Sequence, residues 1–262
     1  MIEVFEGRSL FNFTQKFDTN EKCKKYLAAL KWKNGFQCSK CGHCHAWEGK
    51  PFTKVCKNCR MIVSSTSQTL FHKLKFGLPK AFLILFEMSC TTKSCSSTVI
   101  AAKYGITQKT AWLFMTKVRR AMNENDPTNG NYKIATAIIG DKSDSHTGRG
   151  PGSRKTVQIS IESTGRYGIK RGYAQDLTRK NLSNQVTGKK DTTSLQVRRF
   201  TKGIKQWIAG VHHQVSRHYL QGYLDEYSFR FNRNRKKAQL FHLLVSNMMM
   251  NKPAPYKILY NT

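Results

Sequence analysis

Negative charge is scarce in this chain: 15 Asp and Glu stand against 45 Lys and Arg in 262 residues, a formal net charge of +30. An imbalance of that size argues against a plain interaction adaptor, whose surface needs far less charge of one sign. Other features are missing altogether. No apolar run approaches the ~20 residues of a membrane-spanning helix, which removes the main competing polyanion, a lipid surface, as an integral environment. The first 20 residues carry Glu3, Glu6 and Asp18 and lack the basic start and apolar centre of a secretory leader, so a cytoplasmic chain with reduced thiols is expected. There is no Gly-rich phosphate loop of the Walker kind and no internal repeat.

What the chain does contain is a field that attracts polyanions, with phosphate neutralisation and counterion release as the source of affinity. DNA or RNA is the expected partner. Near the front, Cys38-Ser-Lys-Cys41 and Cys56-Lys-Asn-Cys59 form two Cys-x-x-Cys pairs. Each such turn can aim two thiolates at one ion, and two turns complete the closed four-sulfur set of a structural Zn2+ site. A redox Cys-x-x-Cys would stand alone beside a βαβ pattern, and disulfides would need a secreted context. Cys44, His43 and His45 lie close by and read as loop residues rather than ligands.

Composition and periodicity divide the rest into an α+β, multi-domain chain. Residues 1–31 carry apolar positions at helical spacing, with Asp18-Thr-Asn-Glu21 as a helix start; residues 32–72 are the Gly- and Cys-rich ribbon. Residues 73–125 read as three helices: one from Leu78-Pro79, a short one capped by Ser96 or Ser97, a turn at Gly105, and one capped by Thr107. Helix, Gly turn, helix is the helix-turn-helix layout, alongside the alternative of an ordinary three-helix bundle with a solvated basic face. In that layout Gln108, Lys109 and Thr110 meet base edges while Lys117, Arg119 and Arg120 meet phosphate. Beyond the turn-rich stretch 125–130, strands are expected over 134–140, 156–161 and 167–173, and helices over 216–232 and 236–250, whereas 176–201 is polar and shows little periodicity. The loop 141–155 reads as exposed and basic.

Trp32-Lys-Asn-Gly-Phe36-Gln-Cys38, the cysteine pairs, Thr69-Leu-Phe-His72, Gly105 to Trp112, Gly210 to Ser216 and the block Tyr223 to Arg233 together resemble a bacterial insertion-sequence transposase with an N-terminal zinc ribbon and an ISXO-like catalytic domain, related to the Merlin transposons. The resemblance implies a ribonuclease-H-like α/β domain over 131–262 with C-terminal helices, internally shortened here, in which two Asp and an Asn or Glu hold two Mg2+ ions for DNA strand transfer. It also implies binding to double-stranded element ends, as a homodimer or higher oligomer on DNA. The carboxylates it implies are missing: Ala135 stands at the first position, the interval before Gly210 is too short for the second, and the third falls at or near Gly203, or near Arg198 in other branches. No carboxylate lies between Asp191 and Asp225. Substitute acids would have to come from Asp141, Asp144, Asp176, Asp225 or Glu226, whose simpler reading is as loop acids or helical partners of Arg230 and Arg233. His212 and His213 read as part of a helix start, in structural or DNA-backbone roles. Expected, then, is a DNA-binding protein of the transposase family with a degenerate catalytic domain; the alternatives are an active transposase using substitute acids and a zinc-ribbon RNA-binding or ribosome-associated protein.

Overall fold

In the computed structural model, residues 4–91, 94–124, 132–139, 155–164, 168–177, 194–212 and 215–254 are described. They form a mixture of helices and two small antiparallel sheets, an α+β chain that divides into two compact units. The first comprises Met1–Thr92, Ser97–Ala121 and Lys236–Leu259; the second comprises Lys93–Ser96, Met122–Arg235 and Tyr260–Thr262.

In the first unit, α1 (Leu10–Lys16) and α2 (Asn20–Lys31) start where small hydroxyl residues can cap them. Ser9 accepts from the Asn12 N–H, and Thr19, inside the expected Asp18 to Glu21 start, accepts from Lys22 N–H at 3.2 Å. A three-stranded meander follows, β1 (Ala46–Glu48), β2 (Thr53–Cys56) and β3 (Ile62–Ser64). Then come α3 (Leu78–Cys90), with Pro79 in its first turn, α4 (Ser97–Tyr104) and α5 (Gln108–Ala121). Gly105 at φ +58 makes the turn between α4 and α5, and Thr107 Oγ1 accepts from the Thr110 N–H at 3.3 Å to begin α5. The buried Glu87 of α3 accepts from Tyr104 Oη at 2.9 Å and pairs with Lys103, tying α4 to α3.

The core of this unit is aromatic. Phe13 packs on Phe86 at 4.4 Å between ring centroids and edge-on against Phe241 at 4.8 Å, with Phe5, Phe17, Tyr26 and Phe82 around them. Phe241 belongs to α8 (Leu240–Met250), so the last helix packs with the first three. Hydrogen bonds to the backbone hold it there: Leu70 N–H to Met248 O at 3.1 Å, and Asn247 Nδ2 to Ala121 O at 3.0 Å. A helix was expected from Lys236. The chain over Asn234–Gln239 is instead 3-10, with Lys236 at a non-helical φ of −117°.

In the second unit, β4 (Tyr132–Ile139), β5 (Lys155–Thr164) and β6 (Gly168–Asp176) form an antiparallel meander in which Ala135 faces Ile159 and Ile159 faces Ala174. All three expected strands are present, each extending a residue or more beyond its expected span on at least one side. Among the described residues the strands of this sheet are all antiparallel. Against it lie α6 (Leu195–His212) and, beside β6, α7 (Leu220–Asn232). Alternate strand residues Ala135, Val157, Ile159 and Ile161 meet Val197, Phe200, Ile204 and Ile208 of α6 in one apolar core. Gly172 is needed for the close approach: a Cβ there would stand 2.4 Å from the Phe200 ring.

Two expectations change here. The polar stretch beginning at 176 does yield a helix at its end, because Val197, Phe200, Ile204 and Ile208 recur on one face while Arg198, Lys202 and Lys205 are exposed on the other. His212 closes α6 and does not open a helix; α7 begins only at Leu220, after a 3-10 turn over Arg217–Tyr219. His213 and the acids Asp141, Asp144 and Asp191 lie outside the described residues, as does most of the loop 141–155.

Candidate metal centre and nucleic-acid face

The two Cys-x-x-Cys turns are built alike. In each, the residue after the second Cys turns left-handed, Gly42 at φ 74 and Arg60 at φ 57, and its N–H donates to the carbonyl of the first Cys, at 2.8 Å and 3.0 Å. The first Cys then donates its own N–H to the carbonyl five residues on: Cys38 to His43 at 2.9 Å, Cys56 to Met61 at 3.0 Å. Such turns point both thiols of a pair inward, and β1 to β3 hold the second turn against the first.

The four sulfurs of Cys38, Cys41, Cys56 and Cys59 lie within 4.8 Å of one another, with Cys38–Cys59 at 3.5 Å and Cys41–Cys56 at 3.6 Å. A tetrahedron with bonds of ~2.3 Å has edges of about 3.8 Å, so the set fits one four-coordinate ion and is too open for disulfides. The backbone N–H groups of Cys41 and Lys40 hold the Cys38 thiol down to about 6, the first being the larger effect, against burial. Cys41 is lowered too, chiefly by the His43 N–H. Cys59 goes the other way, to about 12: the Met61 N–H pulls it down, but burial and the three other sulfurs outweigh that. Thiolates crowded this closely repel one another, and a shared cation would relieve that repulsion. Cys44 is exposed and donates to Gly42 O at 3.6 Å, outside the cluster.

The expected base-reading residues start α5. Gln108 and Lys109 are exposed and Thr110 is half-buried; Gln108 Nε2 donates to Thr98 Oγ1 of α4 at 3.3 Å. Of the expected phosphate-binding residues, Arg120 is exposed and Lys117 is half-buried, its ammonium lowered by burial. Arg119 is 3% exposed, so its guanidinium is not presented to solvent in this structure.

At the implied catalytic positions the side chains are part of the packing. Ala135 is fully buried in the sheet core, and a Cβ at Gly203 would stand 2.1 Å from Tyr227 Oη. Neither offers a metal donor. Glu226 is fully buried and engaged: it accepts from Ser94 Oγ at 2.8 Å and from Arg230 at 3.2 Å. Asp225 accepts from Asn123 Nδ2 at 3.0 Å and Gln221 Nε2 at 2.7 Å. Asp176 is buried at the end of β6, its N–H donating to Gln221 Oε1 at 2.8 Å. His212 stacks edge-on against Tyr223 at 4.5 Å and contacts Ser94 Oγ at 3.2 Å. Among the described residues, the four cysteines are the one group of three or more His, Cys, Asp or Glu drawn together as a metal could require. The Mg2+ set implied by the resemblance therefore has no fit at these positions.

From β6 through α7, residues 168–232 match the family model of the ISXO2-like transposase domain. Over this segment, about a quarter of its length, the chain is similar to a transposase domain. The matched segment includes the Gly203–Tyr227 contact and the Asp225 and Glu226 bonds just described. Searches among curated proteins and among solved structures find no significant match. No helix among the described residues is long and apolar enough to cross a membrane. The signal for α6, missed in the sequence, was its apolar spacing, which a run of cations on the outer face diluted.

Proposed function

We propose that this transposase-family chain binds duplex DNA at the ends of an insertion element, using the zinc ribbon of residues 32–72 and the helix-turn-helix of residues 73–125, and that its metal-dependent strand-transfer chemistry has been lost. The observation that carries the reading is the transposase-domain match on a chain of charge +30. Zinc, which four thiolates in a closed tetrahedron suit, is the proposed ion, and its role is structural: it holds two turns that have little core of their own. Gln108, Lys109 and Thr110 are the residues proposed to meet base edges, with Lys117 and Arg120 on phosphate. Arg119, being buried, is left out of the DNA contacts.

The segment from 131 onward is proposed to descend from a ribonuclease-H-like catalytic domain. With a methyl at 135 and a glycine closed off by Tyr227 at 203, the positions that should hold Mg2+ supply no oxygen, and the ions would have provided both nucleophile activation and charge stabilisation. A cytoplasmic, nucleoid-associated location and pairing of two or more copies on DNA complete the proposal.

The test is strand cleavage and joining on a duplex carrying the terminal inverted repeats of the element, with Mg2+ or Mn2+, beside retention of those ends over competitor duplex at several salt concentrations. Retention that weakens steeply with salt, without cleavage, is expected. Metal-dependent cleavage would overturn the loss of chemistry; equal or tighter binding to structured RNA would overturn the DNA assignment.

A further inference from the structure

A groove of about 770 Å³ opens within the first unit, between residues 72–76 and the exposed face of α5. The segment 71–78 alternates in burial: Leu74 and Phe76 turn inward while Lys73 and Lys75 are exposed. Phe76 meets Phe114 of α5 edge-on at 5.3 Å between centroids, which fastens this strap alongside the helix. Lys73 sits at φ 51, a left-handed conformation uncommon for lysine, and one the strap adopts as it turns past α5.

The lining has two characters. Its rim is cationic: Lys73 and Lys75 on the strap, Lys109 and Lys117 on α5, with no acid among the described residues that line it. Its wall is apolar, formed in part by Phe76 and Leu113. The positive field reaches a neighbouring side chain. His72 is held below the ordinary histidine value, first by burial and then by Lys73, Lys117 and Lys31.

A duplex backbone alone needs the cations but no cavity. An acidic peptide would likewise leave the apolar wall unused. A nucleotide uses both, with its base on the apolar wall and its phosphates on the lysines, the combination by which proteins hold single strands. We propose that this groove is a binding site for an unpaired nucleotide of a DNA strand, with the base against Phe76 and Leu113 and the flanking phosphates on Lys73 and Lys75 of the strap. The proposal rests on the DNA-binding reading and adds an unpaired segment beside the duplex contacts of α5.

The experiment uses the full chain and four probes: a short blunt duplex, the same duplex ending in an oligothymidine tail, the same duplex with an abasic tail of equal length, and a polyglutamate peptide as competitor. The thymidine tail is expected to tighten binding about tenfold over the abasic tail, since base stacking of that kind distinguishes two probes of equal charge. Replacing two exposed strap lysines, Lys73→Ala with Lys75→Ala, should lower the salt slope of tailed-probe binding by about 1.4, at roughly 0.7 per single-strand phosphate contact. Leu113→Trp, filling the groove, should abolish the thymidine preference with the salt slope unchanged; thermal melts monitor its folding, and the abasic comparison stands without it. Equal affinity for the thymidine and abasic tails overturns the proposal, as does displacement of the tail by polyglutamate at matched charge. Loss of blunt-duplex retention with the thymidine preference intact would sink the helix-turn-helix reading and leave this one standing.

Discussion

Replacing Asp225 by Asn should stabilise the second unit at neutral pH, and the structure says by how much. Burial beside β6 raises the Asp225 carboxyl from 3.8 to about 6; the Asn123 and Gln221 amides pull it back, and the negative Glu124 adds to the rise. A folded value above the unfolded one means that stability is fully present below about 3.8 and is lost as pH rises through about 6. Two units correspond to about 3 kcal/mol at 1.36 kcal/mol per unit; residual solvent contact at Asp225 screens part of it, leaving about 2 kcal/mol. The amide introduced by D225N keeps one acceptor oxygen, and Asn123 can present its own amide oxygen by flipping. The assay is denaturant unfolding at several pH values between 4 and 7, followed by the fluorine signal of fluorotryptophan at Trp207, the tryptophan that lies in this unit. Wild type should lose stability across that range relative to D225N, and the two should converge near pH 4. A variant that is less stable at pH 7, or a difference that does not change with pH, would refute the reasoning. Stabilisation of the wild type, but not of D225N, by millimolar Mg2+ or Mn2+ would give Asp225 a metal-binding role and revive the substitute-acid alternative.

Other outcomes follow from the same geometry. Chelation, or Cys56→Ala, should release amide protons of residues 38–64 to fast hydrogen exchange while α3 and α8 stay protected, because the ribbon's buried core is only Phe36, Cys38, Cys56 and Val63; unchanged protection of the ribbon would refute a metal-held fold. Gly203→Ala should cost about 1–2 kcal/mol by pressing on Tyr227 Oη, and most of that cost should vanish in the Tyr227→Phe background, a coupling that a double-mutant cycle reads directly.

Much of this was legible in the sequence where the cause is local. Thr19 and Thr107 cap helices because a hydroxyl beside free N–H groups is sufficient, and the cysteine spacing implied a cluster because each turn closes within six residues. What escaped has causes that are not local. The helix over Leu195–His212 is stabilised by the sheet it covers, and without that sheet its cation-rich outer face reads as loop. His212 resembles the start of a motif, yet its ring is set by Trp207 and Tyr223, one five residues before it and one on the next helix. The groove beside α5 joins residues more than thirty positions apart, a pairing no periodicity reveals.

The first unit is assembled from segments that flank the second in the chain: α5 ends at Ala121, and the sequence returns to it at Lys236. Its aromatic core closes through Phe241, and Asn247 ties α8 back to Ala121. An insertion of this kind lets the two units change separately. Residues can be shortened, substituted or dropped between 122 and 235 while the lysine-rimmed groove and the four-sulfur cluster of the first unit keep their own local supports.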